Sequence, residues 1–222
     1  MVRSSIYAAL ALIVLVALLA AYSPANPGPF PGPAVDSPKV AQPGKQTMVL
    51  AGGCFWGMQA VFQHVKGVTN ATSGYSGGEA KTAEYELVST GQTGHAESVK
   101  VTYDPSQITY GELLRIFFSV AHDPTELNRQ GPDDGTQYRS VIFYNTDEQK
   151  RIAEAYIAQL DSAKVFSHKI VTQVVPLKGF YTAEAYHQDY ASNHPTDGYI
   201  MLNDAPKVSH LKKQFPDLYM GK

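Results

Sequence analysis

Proline distribution sets the outer limits of what this chain can fold into. Seven of its 14 prolines (24, 27, 29, 31, 33, 38 and 43) lie between Pro24 and Gly44, beside three glycines and almost no large apolar residues. Proline has no N–H to donate and a fixed φ, so such a stretch builds neither helix nor sheet ladder and reads as an extended polyproline II spacer. The folded part is therefore expected to begin near Gln46 and to run for about 177 residues, one domain's worth. Ahead of the spacer, Ile6 to Tyr22 is an apolar run apart from its two tyrosines, and Arg3 is the only charged side chain before Asp36. At about 17 residues the run falls between a cleaved signal and a membrane span. Ser23-Pro24-Ala25 offers small residues for cleavage, and the lack of a cysteine near residue 20 excludes bacterial lipidation. The expected division is an N-terminal signal peptide or membrane anchor over 1–23, a linker over 24–45 and a single domain over 46–222. That domain is expected to be exported, either periplasmic or held at the membrane facing out of the cytoplasm.

Within the domain, hydrophobic periodicity marks the elements. Thr47 to Ala51 reads as a short buried strand, and Phe55 to Val65 as a helix with Phe55, Met58, Val61, Phe62 and Val65 on one face. Val68 to Tyr75 reads as a strand, followed by a glycine-rich loop from Ser76 to Gly94 with room for a short strand at Tyr85 to Val88. Val99, Val101 and Tyr103 alternate with polar residues in the next strand. Thr109 with Glu112, and Thr146 with Gln149, are spaced as capping boxes for two further helices. Strands are expected at Tyr138 to Tyr144 and Lys169 to Val175, and weak helices at Thr182 to Ala191 and Lys207 to Phe215 in an otherwise irregular tail. This order of split β-α-β units predicts a ferredoxin-like α+β sandwich.

Charge narrows the partners. With 18 Lys+Arg against 20 Asp+Glu the net charge is −2, which gives no basic footprint for nucleic acid; a monomer acting on something else is expected. The single cysteine, Cys54, excludes an internal disulfide and any zinc site built from two thiolates. It sits at a strand-to-helix turn, where unpaired N–H groups and the helix dipole favour thiolate, and a cysteine so placed is expected to have a lowered pKa. Gly53 and Gly57 on either side leave room for a substrate to approach. Glu97, counted in steps of two, is in phase with Val99, Val101 and Tyr103. If that face is buried, desolvation raises its pKa and makes it a general acid; if the strand frays there, it faces water. Phe55 fits the helix's core stripe, whereas Trp56 falls off it and is expected to be exposed beside the cysteine. His95 and His187 are possible bases for a cysteine nucleophile, but each reads better as a surface or capping residue.

Four motifs, Gly53-Cys54-Phe55-Trp56-Gly57, Gly74-Tyr75-Ser76-Gly77-Gly78, Gly94-His95-Ala96-Glu97 and Gly135-Thr136-Gln137-Tyr138-Arg139-Ser140, occur in that order. Over about residues 47–195 the chain resembles the peptide methionine sulfoxide reductase A family. The resemblance implies reduction of methionine sulfoxide, peptide-bound or free, by a nucleophilic Cys54 and a carboxyl proton donor at Glu97. It further implies phenols at Tyr85 and Tyr138 that hydrogen-bond the sulfoxide oxygen, Asp133 in the same polar lining, and Phe55 and Trp56 holding the substrate's S-methyl group. No cofactor or metal is implied. Many relatives carry resolving cysteines in the C-terminal tail and this chain has none, so recycling is expected to use an external thiol reductant, thioredoxin-like or glutaredoxin-like. Two other readings of an exported single-cysteine domain are a cysteine hydrolase or transpeptidase and a non-catalytic binding module with a packed thiol.

Overall fold

The apolar side chains of β1 (Gln46–Ala51) decide the centre of the molecule: this strand is buried along both faces and pairs on both edges. The computed structural model describes residues 29–221; the apolar run, the cleavage-like tripeptide and the first part of the spacer lie outside them. No helix among the described residues is long and apolar enough to cross a membrane. β1 lies antiparallel to β3 (Ala96–Tyr103) on one side and to β6 (Val141–Tyr144) on the other, and β2 (Val68–Ser76) lies antiparallel to β3. The sheet is completed by β7 (Gln173–Pro176), parallel to β6, and the two-residue β8 (Tyr181–Thr182) on β2, giving the order β7-β6-β1-β3-β2-β8. A separate hairpin joins β4 (Arg129–Gln130) to β5 (Asp133–Asp134). β3 separates β1 from β2, which are joined through α1 (Phe55–Gln63), so the β-α-β unit is split as expected and the class is a mixed α+β fold.

Pairing fixes the faces, because directly opposed residues share a side. Leu50 opposes Val99 and Tyr75 opposes Glu97, so Glu97 stands on the face covered by α1, which packs on β2 and β3. The opposite face holds Val49, Ala51, Ala96, Val141 and Phe143, capped by Val175, Leu177 and Phe180. α3 (Tyr110–Ile116) starts from a complete capping box, with Glu112 N donating to Thr109 Oγ1 at 3.1 Å and Thr109 N to Glu112 Oε2 at 2.9 Å. At α4 (Asp147–Ser162) Gln149 N donates to Thr146 Oγ1, but the Gln149 side chain accepts from Asn145, one residue before the cap.

Three expectations are corrected. From Pro31 onward the spacer belongs to the same compact unit as the domain. Tyr156 OH donates to Pro31 O at 2.6 Å, Gln159 pairs with Gly32 and Ala34, and Asp36 accepts from Thr109 Oγ1 and from Gly111 N at 2.8 Å. A proline-rich segment cannot make its own ladder, but its carbonyls remain free to accept from a neighbouring helix. Asp36→Ala is accordingly expected to destabilise the fold by about 1 kcal/mol, the usual worth of a cap, as read by urea denaturation. Tyr85–Val88 is a short helix, α2, rather than a strand: Val88 N donates to Glu84 O and Ser89 N to Tyr85 O, while Tyr85 N is taken by the Glu184 carboxylate, so these groups are not free for a sheet ladder. The tail is more ordered than expected: its first helix is replaced by β8, a 3₁₀ turn at Ala185–His187 and the short α5 (Tyr190–Asn193), while α6 runs from Ala205 to Gln214.

Candidate active site

Cys54 occupies the N-cap of α1 with non-helical backbone angles and is 7% exposed. Two glycines permit this turn. Gly53 has φ +89°, and a Cβ there would run into the Gln130 side chain; a Cβ at Gly57 would collide with Asp204 and come within 2.9 Å of Lys207 Nζ. The Gly53 N–H donates to Tyr138 O at 3.2 Å, which ties the cysteine turn to the 135–140 motif. Arg139 binds the carbonyls of Gly94 and His95, so the third motif is held to the fourth.

Glu97 is 3% exposed, which settles its two sequence readings in favour of burial. Its Oε2 accepts from Phe55 N at 3.0 Å, placing the carboxyl at the first turn of the cysteine's own helix. Desolvation pushes its pKa up to about 8, with Asp133 and Asp204 adding to the rise and the Phe55 N–H opposing it, so at neutral pH the carboxyl holds its proton. The expectation of a lowered Cys54 pKa is corrected. Burial pushes the thiol well up, Glu97 and Asp204 push the same way, and the Trp56 N–H and Lys207 work against them. The helix terminus acts as expected, but the cost of an ion in a dry site outweighs it.

Tyr85 and Tyr138 are both half-buried, and their hydroxyls lie in the field of Glu97 and Cys54. Desolvation first, and then those charges, raise both pKa values, so both phenols stay protonated donors. Asp133 joins the same group by its effect on Glu97 and Tyr138. The structure thus brings together Cys54, Phe55, Glu97, Tyr85, Tyr138 and Asp133. Trp56 is half-buried rather than exposed, because the Tyr190 ring stacks on it at 3.8 Å and Tyr199 meets it edge-on at 6.0 Å.

Sequence reasoning missed what the tail supplies. His187 is 2% exposed and not a surface residue: its Nδ1 accepts from Trp56 Nε1 at 3.1 Å, and its ring lies 5.0 Å from Phe55 and 4.4 Å from Tyr85. His95, also buried, is occupied by Gly78 N and Glu79 O. Glu184 accepts from Tyr85 N at 2.9 Å and Tyr75 OH at 2.8 Å, holding the start of α2 in place, and Tyr199 OH donates to Asp133. The one available signal was the crowding of tyrosines, histidines and acids between Tyr181 and Tyr199. A histidine pairing with a cysteine nucleophile is not seen among these residues: His122 is committed to Phe117 O and Ser140 Oγ, and burial lowers its pKa to about 4. The arrangement offers a buried thiol, a protonated carboxyl, two phenol donors and an aromatic wall, which suits nucleophilic attack on a centre whose oxygen must be protonated.

Residues 46–219 match the family model for peptide methionine sulfoxide reductase. The chain is 60% identical over 182 residues to peptide methionine sulfoxide reductase MsrA 2 of Mesorhizobium japonicum, covering 82% of this chain and 93% of that protein. It is 50% identical to the protein of the same name from Synechocystis, over 85% of this chain and 89% of the relative. Among solved structures, reduced Mxr1 of Saccharomyces cerevisiae is 34% identical with a TM-score of 0.62, over 73% of this chain and 92% of that one. Methionine sulfoxide reductase A of Corynebacterium diphtheriae is 34% identical with a TM-score of 0.60, over 74% and 86%.

Proposed function

The chain belongs to the peptide methionine sulfoxide reductase A family and is a peptide-methionine (S)-S-oxide reductase, and from that premise we propose how its residues carry the reaction. The observation that carries the proposal is the buried, protonated Glu97 bonded to the first N–H of the helix that Cys54 caps. Sulfoxide sulfur becomes electrophilic as its oxygen takes a proton. Glu97 supplies that proton while Tyr85 and Tyr138 hold the oxygen, and Phe55 with Trp56 receives the S-methyl group. Cys54 attacks as thiolate, having given up its proton, and a sulfur–sulfur bond forms. The protonated oxygen then passes to Cys54, the substrate's sulfur–oxygen bond and the new sulfur–sulfur bond break, and methionine leaves, so one sulfoxide and one thiol become one thioether and one sulfenic acid. The thiol's proton restores Glu97.

The test is incubation of the chain with each sulfoxide epimer of a blocked methionine, with dithiothreitol as reductant. The S epimer is expected to be reduced and the R epimer left, since the two are handled by separate enzymes; equal rates on both would count against the reading.

Two further elements belong to the same proposal. Reduction of the sulfenic acid requires two thiols from outside the chain, which leave as a disulfide with one water; a dithiol protein, thioredoxin-like or glutaredoxin-like, fits that stoichiometry, with oxidised proteins or free methionine sulfoxide as substrate. The apolar run, Arg3 and the following prolines support work outside the cytoplasm, periplasmic or tethered to the membrane. Cell fractionation is expected to place the full-length protein in the exported or membrane fraction, and recovery in the soluble cytoplasm would refute this element.

A further inference from the structure

Asp204 is the residue in this structure whose placement is hardest to explain by folding alone. It ends a π-helical stretch (Ile200–Asp204) that runs without a break into α6, so no free helix N–H group is there for it to cap, and its side chain makes no capping bond. It turns inward with no exposed surface, pairs with Lys207 Nζ through Oδ1 at 3.1 Å, and leaves Oδ2 buried without a partner. Lys207 is itself mostly covered, its side chain 18% exposed. A buried ion pair is costly and gives little net stability.

What the pair faces is the cysteine's helix. Both charges crowd Gly57, which has room for no side chain because of them. Gly57 is three residues past Cys54, and positions three apart share one side of a helix. The pair therefore abuts the turn of α1 whose N-cap is the nucleophile, from an element that contributes none of the reacting groups. The other titratable groups around Cys54 are Glu97 from β3, Tyr85 from α2, Asp133 and Tyr138 from the segment after β4, and Tyr199 and His187 from the tail; His122 lies against Gly52. Acids and phenols predominate, and Lys207 is the cation that acts on the sulfur.

We propose that Lys207 and Asp204, seated together against the turn of α1 that Cys54 caps, are a positioning pair for the Cys54 nucleophile, the cation and the carboxylate biasing the sulfur in opposite directions. This rests on the reading of Cys54 as nucleophile but is tested without a sulfoxide. Because Cys54 is the only cysteine, alkylation of the full chain by iodoacetamide, followed by mass spectrometry across pH, reports on this sulfur alone.

Lys207→Met is expected to raise the pH midpoint of alkylation by about one unit, roughly tenfold slower reaction at neutral pH. Asp204→Asn, which keeps the shape and the bond to Lys207, is expected to lower it, and Lys207→Arg to stay near wild type. A purely structural role would move Lys207→Met and Asp204→Asn in the same direction, since each would loosen the same contact. Opposite shifts support the pair; shifts of the same sign, or no shift in either variant, overturn it. Failure of the chain to reduce sulfoxide would instead strike the proposed reaction and leave the alkylation result standing.

Discussion

Cys54→Ser is expected to leave no measurable reduction of methionine sulfoxide under any reductant. The chain has one cysteine, so no second thiol can substitute. Serine cannot replace the chemistry either: its hydroxyl stays un-ionised near neutral pH, its oxygen is a poor partner for sulfur, and it has no counterpart of the sulfenic acid to receive the transferred oxygen. The wild-type chain supplies the matching positive result. One equivalent of sulfoxide without reductant is expected to yield one methionine and a chain heavier by one oxygen, trapped at Cys54 by a sulfenic-acid reagent. Condensation with a neighbouring thiol, the usual escape, is closed within the chain. A disulfide between two Cys54 residues would require two sulfurs, each 7% exposed at the N-cap of a packed helix, to reach one another. Mass spectrometry of a single turnover distinguishes these products, and a disulfide-linked dimer would show that the enzyme resolves itself between chains.

Glu97→Gln is expected to retain substrate binding and to lower turnover by something on the order of 10² to 10⁴, the usual worth of a general acid. The amide fills the same space and can still accept from Phe55 N, so the variant removes the acidic proton and little else. The pH profile gives a second readout. Because the reaction needs the protonated carboxyl and its pKa is pushed up to about 8, wild-type activity is expected to fall as pH rises through that value, and the glutamine variant to lose this dependence. Stability changes with pH in the same direction. A carboxyl with a raised native pKa binds a proton more tightly when folded, so wild type loses stability as pH rises from the ordinary carboxylate range toward about 8. The glutamine variant is expected to unfold later than wild type at alkaline pH. Turnover of the variant within about twofold of wild type would assign the proton to another donor.

The two side chains were legible to different degrees. Period-two alternation alone put Glu97 on the same face as Val99 and Val101, since pleating leaves no freedom in the matter. Whether that face was dry depended on α1 lying across it, a contact between segments that alternation cannot reveal. Cys54 at a helix start was visible from the apolar stripe beginning at Phe55. Its ionisation was misjudged, because the helix terminus is a local feature while the burial of the sulfur, and after it the charges of Glu97 and Asp204, come from elsewhere in the chain. Tyr85 and Tyr138, two of 14 tyrosines, rested on family resemblance, since nothing local distinguishes a phenol that donates to a ligand from one that packs.

The sequence by itself determined the elements whose cause is short-range: the strands with alternating faces and the helix begun at Thr109 by its capping box, together with the presence of a single thiol. Resemblance of four short motifs added the reaction. Tertiary structure alone decided that residues 31–45 lie on the domain, that His187 and Tyr190 flank Trp56, and that Glu184 fixes the start of α2. It also decided that Asp204 and Lys207 face the cysteine's helix. The physical reason is range. Capping, alternation and turn chemistry act over a few residues and leave a pattern in the chain, whereas desolvation and charge act through space and depend on which distant segments close over a site.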